Sequence, residues 1–244
     1  MKLRSREGVC VASLDANLER WLCGAEGRLR KRRVAVVFAG IYVLFTATYL
    51  SINHFSVGRV AFTLFLPGEE RLPFLPIFEY LYVLTYFLPA LLIVTIRDFA
   101  SLRRLFRATG LTLLAAYTTY LLFPVYFERP QLEVTSLHTW LLSLEYLDKP
   151  YNHFPSLHVA LSWLGVFASQ VSRRFRVGLR SLATGISIST VFVKQHYIVD
   201  VLYGIALAWV AWRLAGFRGH SAPGAGASNN AMAAAGAATT SVAE

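Results

Sequence analysis

Residues 154–200 read FPSLHVALSWLGVFASQVSRRFRVGLRSLATGISISTVFVKQHYIVD. The stretch opens on Pro155-Ser156-Leu157-His158 and closes on His196-Tyr197-Ile198-Val199-Asp200. Two apolar runs lie between them, split by the basic turn Ser172-Arg173-Arg174-Phe175-Arg176. His158 and His196 are 38 positions apart. That spacing accommodates a helix down, a turn and a helix back, and at 1.5 Å per residue the two legs nearly cancel in depth. The two histidines are therefore expected at the same end of a hairpin. Asp200, four residues after His196, shares a helical face with it. Alone, each motif is weak: Ser156 could simply cap a helix, and many structural pairs have His-x-x-x-Asp spacing. Two histidines at matched depth, one with a carboxylate beside it, point to a site.

The rest of the chain places that hairpin in a bilayer. Of 244 residues, 55% are hydrophobic and only 16% charged, with mean hydropathy +0.47. Val34–Gly58 has no charged residue other than His54, and Tyr80–Ile96, Ala108–Phe127 and Phe154–Ser172 contain no Asp, Glu, Lys or Arg. Runs of this kind indicate a polytopic membrane protein, a crossing needing about 20 residues. The expected fold is all-α with six transmembrane helices, at 34–53, 74–96, 108–127, 157–172, 177–193 and 197–214. The domain reading is a basic N-terminal segment (1–33), a six-helix membrane domain (34–217) and a tail (218–244). The tail is Ala, Gly, Ser and Thr with little else from Ser221 on, a composition too poor in bulk to form a core.

Basic residues set the orientation. Nine Lys/Arg fall in 1–33, four in 97–107, four in 172–180 and two after 212, which is 19 of the 24. The other face holds Arg59, Arg71, Arg129, Lys149 and Lys194. The positive-inside rule then puts both termini in the cytoplasm and the two motifs outside, in a cell (inner) membrane. The net charge of +10 is a topology signal, since the basic residues flank spans, and nucleic-acid binding is not expected. Residues 8–30 have an amphipathic pattern suited to a surface helix, with a floppy basic lead-in as the alternative. The first span reads as an uncleaved anchor. Cys10 and Cys23 lie on the cytoplasmic side, where a structural disulfide is not expected. Oligomeric state leaves no trace in the sequence.

Three outer features bear on chemistry. Residues 54–73 carry Phe55, Phe62, Phe65 and Leu66 ahead of Pro67-Gly68 and read as an interfacial helix followed by a turn, either a lipid guide or an aromatic belt. Glu79, about a turn inside the second span, lines a polar cavity or snorkels to the interface. The longest outer loop, 128–156, begins Glu128-Arg129-Pro130. The candidate catalytic residues are His158, His196 and Asp200. Candidate phosphate contacts are Arg129, Ser156 and Lys194. A neutral His196 could attack phosphorus while Asp200 fixes its tautomer. His158 could protonate the leaving oxygen, and Arg129 could clamp phosphoryl oxygens. No carboxylate cage for a divalent ion is visible, so no metal or other cofactor is expected. A His/His/Asp zinc site is the metal alternative, disfavoured by the nearby Arg129 and Lys194.

On these residues the chain resembles the type 2 phosphatidic acid phosphatase superfamily, closest to the branch that includes inositol phosphorylceramide synthases. The resemblance covers roughly residues 75–212. The family's first motif, Lys-x6-Arg-Pro, is matched by Arg129-Pro130, with Leu122 in place of Lys. Its second, Pro-Ser-Gly-His, is matched by Pro155, Ser156 and His158, with Leu157 in place of Gly. Its third, Ser-Arg-x5-His-x3-Asp, is matched by Ser189, His196 and Asp200, with Thr190 in place of Arg. The resemblance implies a six-helix enzyme working through a phosphohistidine, with a lipid phosphate and the bilayer as its partners. The activity expected is a lipid-phosphate phosphatase at the outer leaflet. Lipid phosphotransfer to an alcohol and a non-catalytic binding or transport protein of the same fold are the alternatives.

The sidedness is testable. In a background lacking Cys10 and Cys23, Gln131→Cys is expected to react with an impermeant thiol reagent added to intact cells. Labelling only after lysis would overturn the orientation.

Overall fold

The computed structural model describes residues 15–24 and 27–216. The tail 218–244 and residues 8–14 of the expected surface helix lie outside them. Residues 15–22 are helical, and a bridge between Cys23 and Leu29 then turns the chain. The major helices are α1 (Lys31–Phe55), α2 (Pro76–Thr95), α3 (Phe99–Leu122), α4 (Leu137–Glu145), α5 (Leu157–Ala168), α6 (Arg173–Phe192) and α7 (Ile198–Gly216). No β-strand occurs among the described residues, so the protein is all-α.

Three helices, α1, α2 and α7, are long and apolar enough to cross a membrane. The other three of the six expected depart from that standard for visible reasons. Helix α3 begins at Phe99 rather than 108 and carries Arg103, Arg104 and Arg107 in its first turns. Asp98 sets this start by accepting the Ser101 N–H at 2.8 Å, an N-cap. Helix α5 stops at Ala168, not 172, and its 12 residues span only about 18 Å. Helix α6 begins in a run of arginines.

Helix α2 is not one regular helix. It alternates 3-10 and α segments, Pro76–Phe78, Glu79–Tyr82, Val83–Phe87 and Leu88–Thr95. Pro89, lacking an N–H, cannot bond to the Thr85 carbonyl and so breaks the ladder. The Thr85 carbonyl accepts the Leu88 N–H instead, and the Thr85 hydroxyl lies 3.2 Å from that of Ser162 on α5.

The expected interfacial helix over 54–73 is overturned. After Phe55 the chain runs as turns and extended backbone with one 3-10 turn, Glu69–Arg71. Gly58 and Gly68 have φ of 77° and 88°, left-handed values at which a helix stops. This strap pairs with the segment after α3: the Phe62 N–H donates to Pro124 O and the Tyr126 N–H to Phe62 O, both at 2.9 Å. Its aromatics remain partly exposed but make ring contacts, with Phe62 stacked on Phe123 and Phe65 edge-on to Tyr197. Glu69 is buried, and its carboxylate accepts the Ile198 N–H at 2.5 Å. It therefore caps α7, where a negative charge also complements the helix dipole.

Helix α7 packs along α3 and α5. The main apolar core, with Leu102, Leu105, Ala160, Leu164, Ala208 and Ala211, fills that junction. Small residues let the backbones approach, as in membrane bundles generally. The closest approach is at Gly204, where an added Cβ would stand 2.7 Å from Ser156 O and 3.2 Å from Val159 Cβ. Neither neighbour is the free end of a flexible side chain. Gly204→Ala is therefore expected to destabilise the protein by about 1–3 kcal/mol, a typical overpacking cost. Thermal unfolding in detergent checks this; an unchanged melting temperature would mean the crossing tolerates more room.

Candidate active site

Both motifs are at one end of the bundle. Ser156 accepts the Val159 N–H at 3.4 Å and caps α5, which puts His158 in the first turn of the helix. The Ser156 N–H donates to Asp200 O at 3.1 Å, pinning the start of α5 to the first turn of α7. Helix α6 ends at a left-handed residue, Lys194, with φ 56°. The N–H groups of Gln195 and His196 then both turn back to Thr190 O, at 3.0 and 3.2 Å. This C-terminal cap swings His196 inward, and Asp200 follows it on α7.

The histidine pair is close. The His158 and His196 ring centroids are 5.8 Å apart. The carboxylate oxygen Oδ2 of Asp200 accepts the Tyr197 N–H at 2.9 Å and lies 3.3 Å from His196 Nδ1. A carboxylate can only accept, so the hydrogen is assigned to Nδ1 and the lone pair to Nε2. Burial presses the His196 pKa down to about 3, so the ring is neutral at ordinary pH and free to act as a nucleophile.

A second set of groups holds His158. The Tyr82 hydroxyl is 3.0 and 3.1 Å from its two ring nitrogens. The Tyr86 hydroxyl is 3.3 Å from His158 Nε2 and donates to Glu145 Oε2 at 2.6 Å. Tyr82 and Tyr86 are four residues apart on the irregular helix α2; Glu145 closes α4. Burial raises the Glu145 pKa to about 6, although the Tyr86 hydrogen bond pulls it down. Glu79 neither snorkels to the surface nor lines the cavity described below. It is fully buried, and its carboxyl oxygens have no hydrogen-bond partner among the described residues.

The three candidate phosphate contacts fare differently. Arg129 is at the site, but it is engaged. Its guanidinium donates to Asp148 O (2.8 Å), Asp148 Oδ1 (2.6 Å) and Gln195 Oε1 (3.2 Å), and it lies over the Tyr146 ring. Asp148 is shared with the Tyr49 hydroxyl at 2.8 Å. The Ser156 side chain is buried as the α5 cap and, like Lys194, is not among the residues lining the cavity. The visible contribution of Lys194 is its backbone turn. Leu122 is 77% exposed, and buried Thr190 gives its hydroxyl to Ser187 O.

A cavity of about 840 Å³ opens onto the histidines. Arg129, Glu145, Asp148, His153, His158 and His196 line its polar end. Its walls continue down α1, α2 and α3 past Phe45, Phe38 and Leu105. Among the described residues, no group of three or more His, Cys, Asp or Glu is arranged to hold a metal ion.

Sequence reasoning missed several of these groups. Tyr82, Tyr86, Glu145, Asp148 and Gln195 come from segments with no recognisable motif. His153, two residues before Pro155, also lies outside the motifs.

A model of the PAP2 superfamily matches residues 54–214, well over half of the chain. The chain belongs to that superfamily, which gives it a membrane setting and a phosphatase-like or phosphotransferase-type function at the coarse level. No curated protein and no solved structure matches it.

The raised Glu145 pKa has a definite sign. The folded protein holds this proton up to about pH 6, whereas the unfolded chain releases it in the ordinary carboxylate range. Stability therefore falls as pH rises from about 4.5 to 6, then levels off. Glu145→Gln keeps an acceptor for Tyr86 and cannot ionise. It is expected to match the wild type near pH 4.5 and to exceed it at pH 7.5 by up to about 2 kcal/mol. Melting curves at the two pH values check this; a variant less stable at pH 7.5 would reverse the sign.

Proposed function

We propose that the protein is a lipid-phosphate phosphohydrolase working at the outer face of the membrane through a phosphohistidine. The observation that carries this reading is the His158–His196 pair, 5.8 Å apart, with Asp200 on His196, at the polar end of a long apolar cavity. A lipid phosphate has the matching shape, a charged head on an apolar body.

The steps follow from the residues. The His196 Nε2 lone pair attacks phosphorus as the bond to the lipid oxygen breaks. His158 gives its proton to that oxygen. Asp200 stabilises the positive charge that develops on His196. Arg129, shared with Asp148, and the surrounding donors hold the phosphoryl oxygens. Water then attacks phosphorus, His158 takes the proton back, and the P–N bond breaks. His158, protonated, can donate through Tyr86 toward Glu145, which helps it hold its proton between turnovers.

A second reading, transfer to an alcohol, is favoured by one observation. The carboxylate of Asp148 pairs with Arg129 at 2.6 Å, which weakens the grip on a doubly charged phosphomonoester. A phosphodiester donor carries less charge.

His196→Ala is expected to abolish turnover and Asp200→Asn to cut it severely. His158→Ala should lose most with poor leaving groups and least with an activated aryl phosphate. Activity is expected to survive EDTA. Phosphate release from lipid phosphates, with and without an added alcohol such as inositol or glycerol, separates the two readings. Free phosphate as the main product supports hydrolysis; a new phosphodiester lipid with little phosphate establishes transfer. Full activity in His196→Ala would eliminate both.

A further inference from the structure

We propose that His153 is a third histidine of the site, binding a phosphoryl oxygen through one shared proton in place of a second fixed cation. The inference rests on the phosphohistidine reading and adds a residue and a proton to it. His153 belongs to none of the three motifs.

The geometry carries it. His153 is only 3% exposed. Its Nδ1 lies 2.5 Å from the carbonyl oxygen of Gln195. A carbonyl can only accept, so Nδ1 bears the hydrogen and Nε2 presents a lone pair. Nε2 is buried and has no hydrogen-bond partner among the described residues. Leaving such a group unsatisfied is costly, so a partner that arrives with the substrate is favoured. The ring lines the cavity and stands edge-on to His196, with centroids 5.5 Å apart and planes at 76°. Phe127 packs against it at 5.7 Å.

In-line transfer assigns the role. His196 and the leaving oxygen occupy the two apical positions on phosphorus, and His158 serves the leaving oxygen. The remaining oxygens are equatorial and face the groups that flank His196. Those groups are Arg129, neutralised by Asp148, and His153. The positions that could have held further cations do not deliver one. Leu122 is at the surface, Thr190 is buried on its own helix, and Lys194 is off the cavity.

A bare Nε2 lone pair would repel an anionic oxygen, so one proton must lie between them. A phosphomonoester monoanion brings that proton as its P–O–H, which donates to Nε2. If the proton crosses, the pair becomes a dianion against an imidazolium; no atom is gained or lost. Above the second phosphate pKa, about 6, the proton must be drawn from solvent. The titratable and charged groups facing His153 are His196, Arg129 and His158. Burial and these neighbours hold the free ring well below the ordinary histidine range, so it enters the encounter neutral.

The test is competitive inhibition by inorganic phosphate, measured between pH 5.5 and 8.5 with an activated aryl phosphate as reporter. In the wild type the inhibition constant is expected to rise toward tenfold per pH unit once the shared proton must be taken up. His153→Arg supplies a permanent charge and should flatten that slope while keeping tight inhibition. His153→Gln should also be flat, at the weak level the wild type reaches near pH 8.5. Where the Arg variant does not fold, the Gln slope alone decides. If the variants lose turnover but keep the wild-type slope, His153 is a packing residue and the proposal falls. A wild type that phosphate does not inhibit at any pH, and that stays active as His196→Ala, would overturn the phosphohistidine reading itself.

Discussion

One backbone contact ties the two motifs into one site. The Ser156 N–H donates to Asp200 O, and this is possible only because Gly204, one turn further along α7, lets the Ser156 carbonyl approach. The same crossing fixes where α5 begins, and therefore where His158 stands. It also fixes the first turn of α7, and therefore the carboxylate that orients His196. Tyr120 of α3 adds a third support, donating to Pro155 O at 2.7 Å. Two histidines 38 residues apart in sequence thus meet through contacts that involve neither ring.

The site is built from buried polar groups, which are costly unless partnered. Most of them are partnered in series: Tyr49 to Asp148 to Arg129 to Gln195, and His158 to Tyr86 to Glu145. The first chain holds Arg129 between two acceptors and the second ends on His158, so each limits how far a cavity-lining side chain can move. Charge is kept low by the same means. The one arginine at the site is matched by an aspartate, and Glu145 keeps its proton up to about pH 6. On the proposed phosphoryl-transfer reading, a site with so little fixed positive charge depends on protons that its histidines can move.

How much of this was legible in the sequence depended on how local each feature was. His158, His196 and Asp200 lie in two short motifs whose spacing is a helical hairpin, so their convergence followed from counting residues. The all-α class followed from composition. Helix α4 went unforeseen, although Ser136 and Thr139 form a capping box, a local signal that was there to be read. The strap over 54–73 was read as a helix because its aromatics are spaced like one; Gly58 and Gly68 argued otherwise. Glu145, Asp148, Tyr82 and Tyr86 could not be found, because only the packing of α4 on α2, and of α2 on α5, brings this region to the histidines. Ser156 and Lys194 were expected for their side chains. What can be seen of their work is structural: the Ser156 hydroxyl caps α5, and Lys194 makes a left-handed backbone turn.

The strap shows why the segments between the helices are as constrained as the bundle. Its Glu69 carboxylate receives the first free N–H of α7, at Ile198, and also accepts the Leu66 N–H at 3.0 Å. It thus joins the strap to the residue two positions after His196. Phe65 against Tyr197 closes the same junction from the apolar side, and the Tyr197 hydroxyl donates to Tyr126 O at 2.9 Å. The loop bearing His196 is consequently held on three sides: by the α6 cap, by α7 and by the strap. On the proposed phosphohistidine reading, His196 needs its lone pair to return to one place after each turnover, and these three attachments would provide for that.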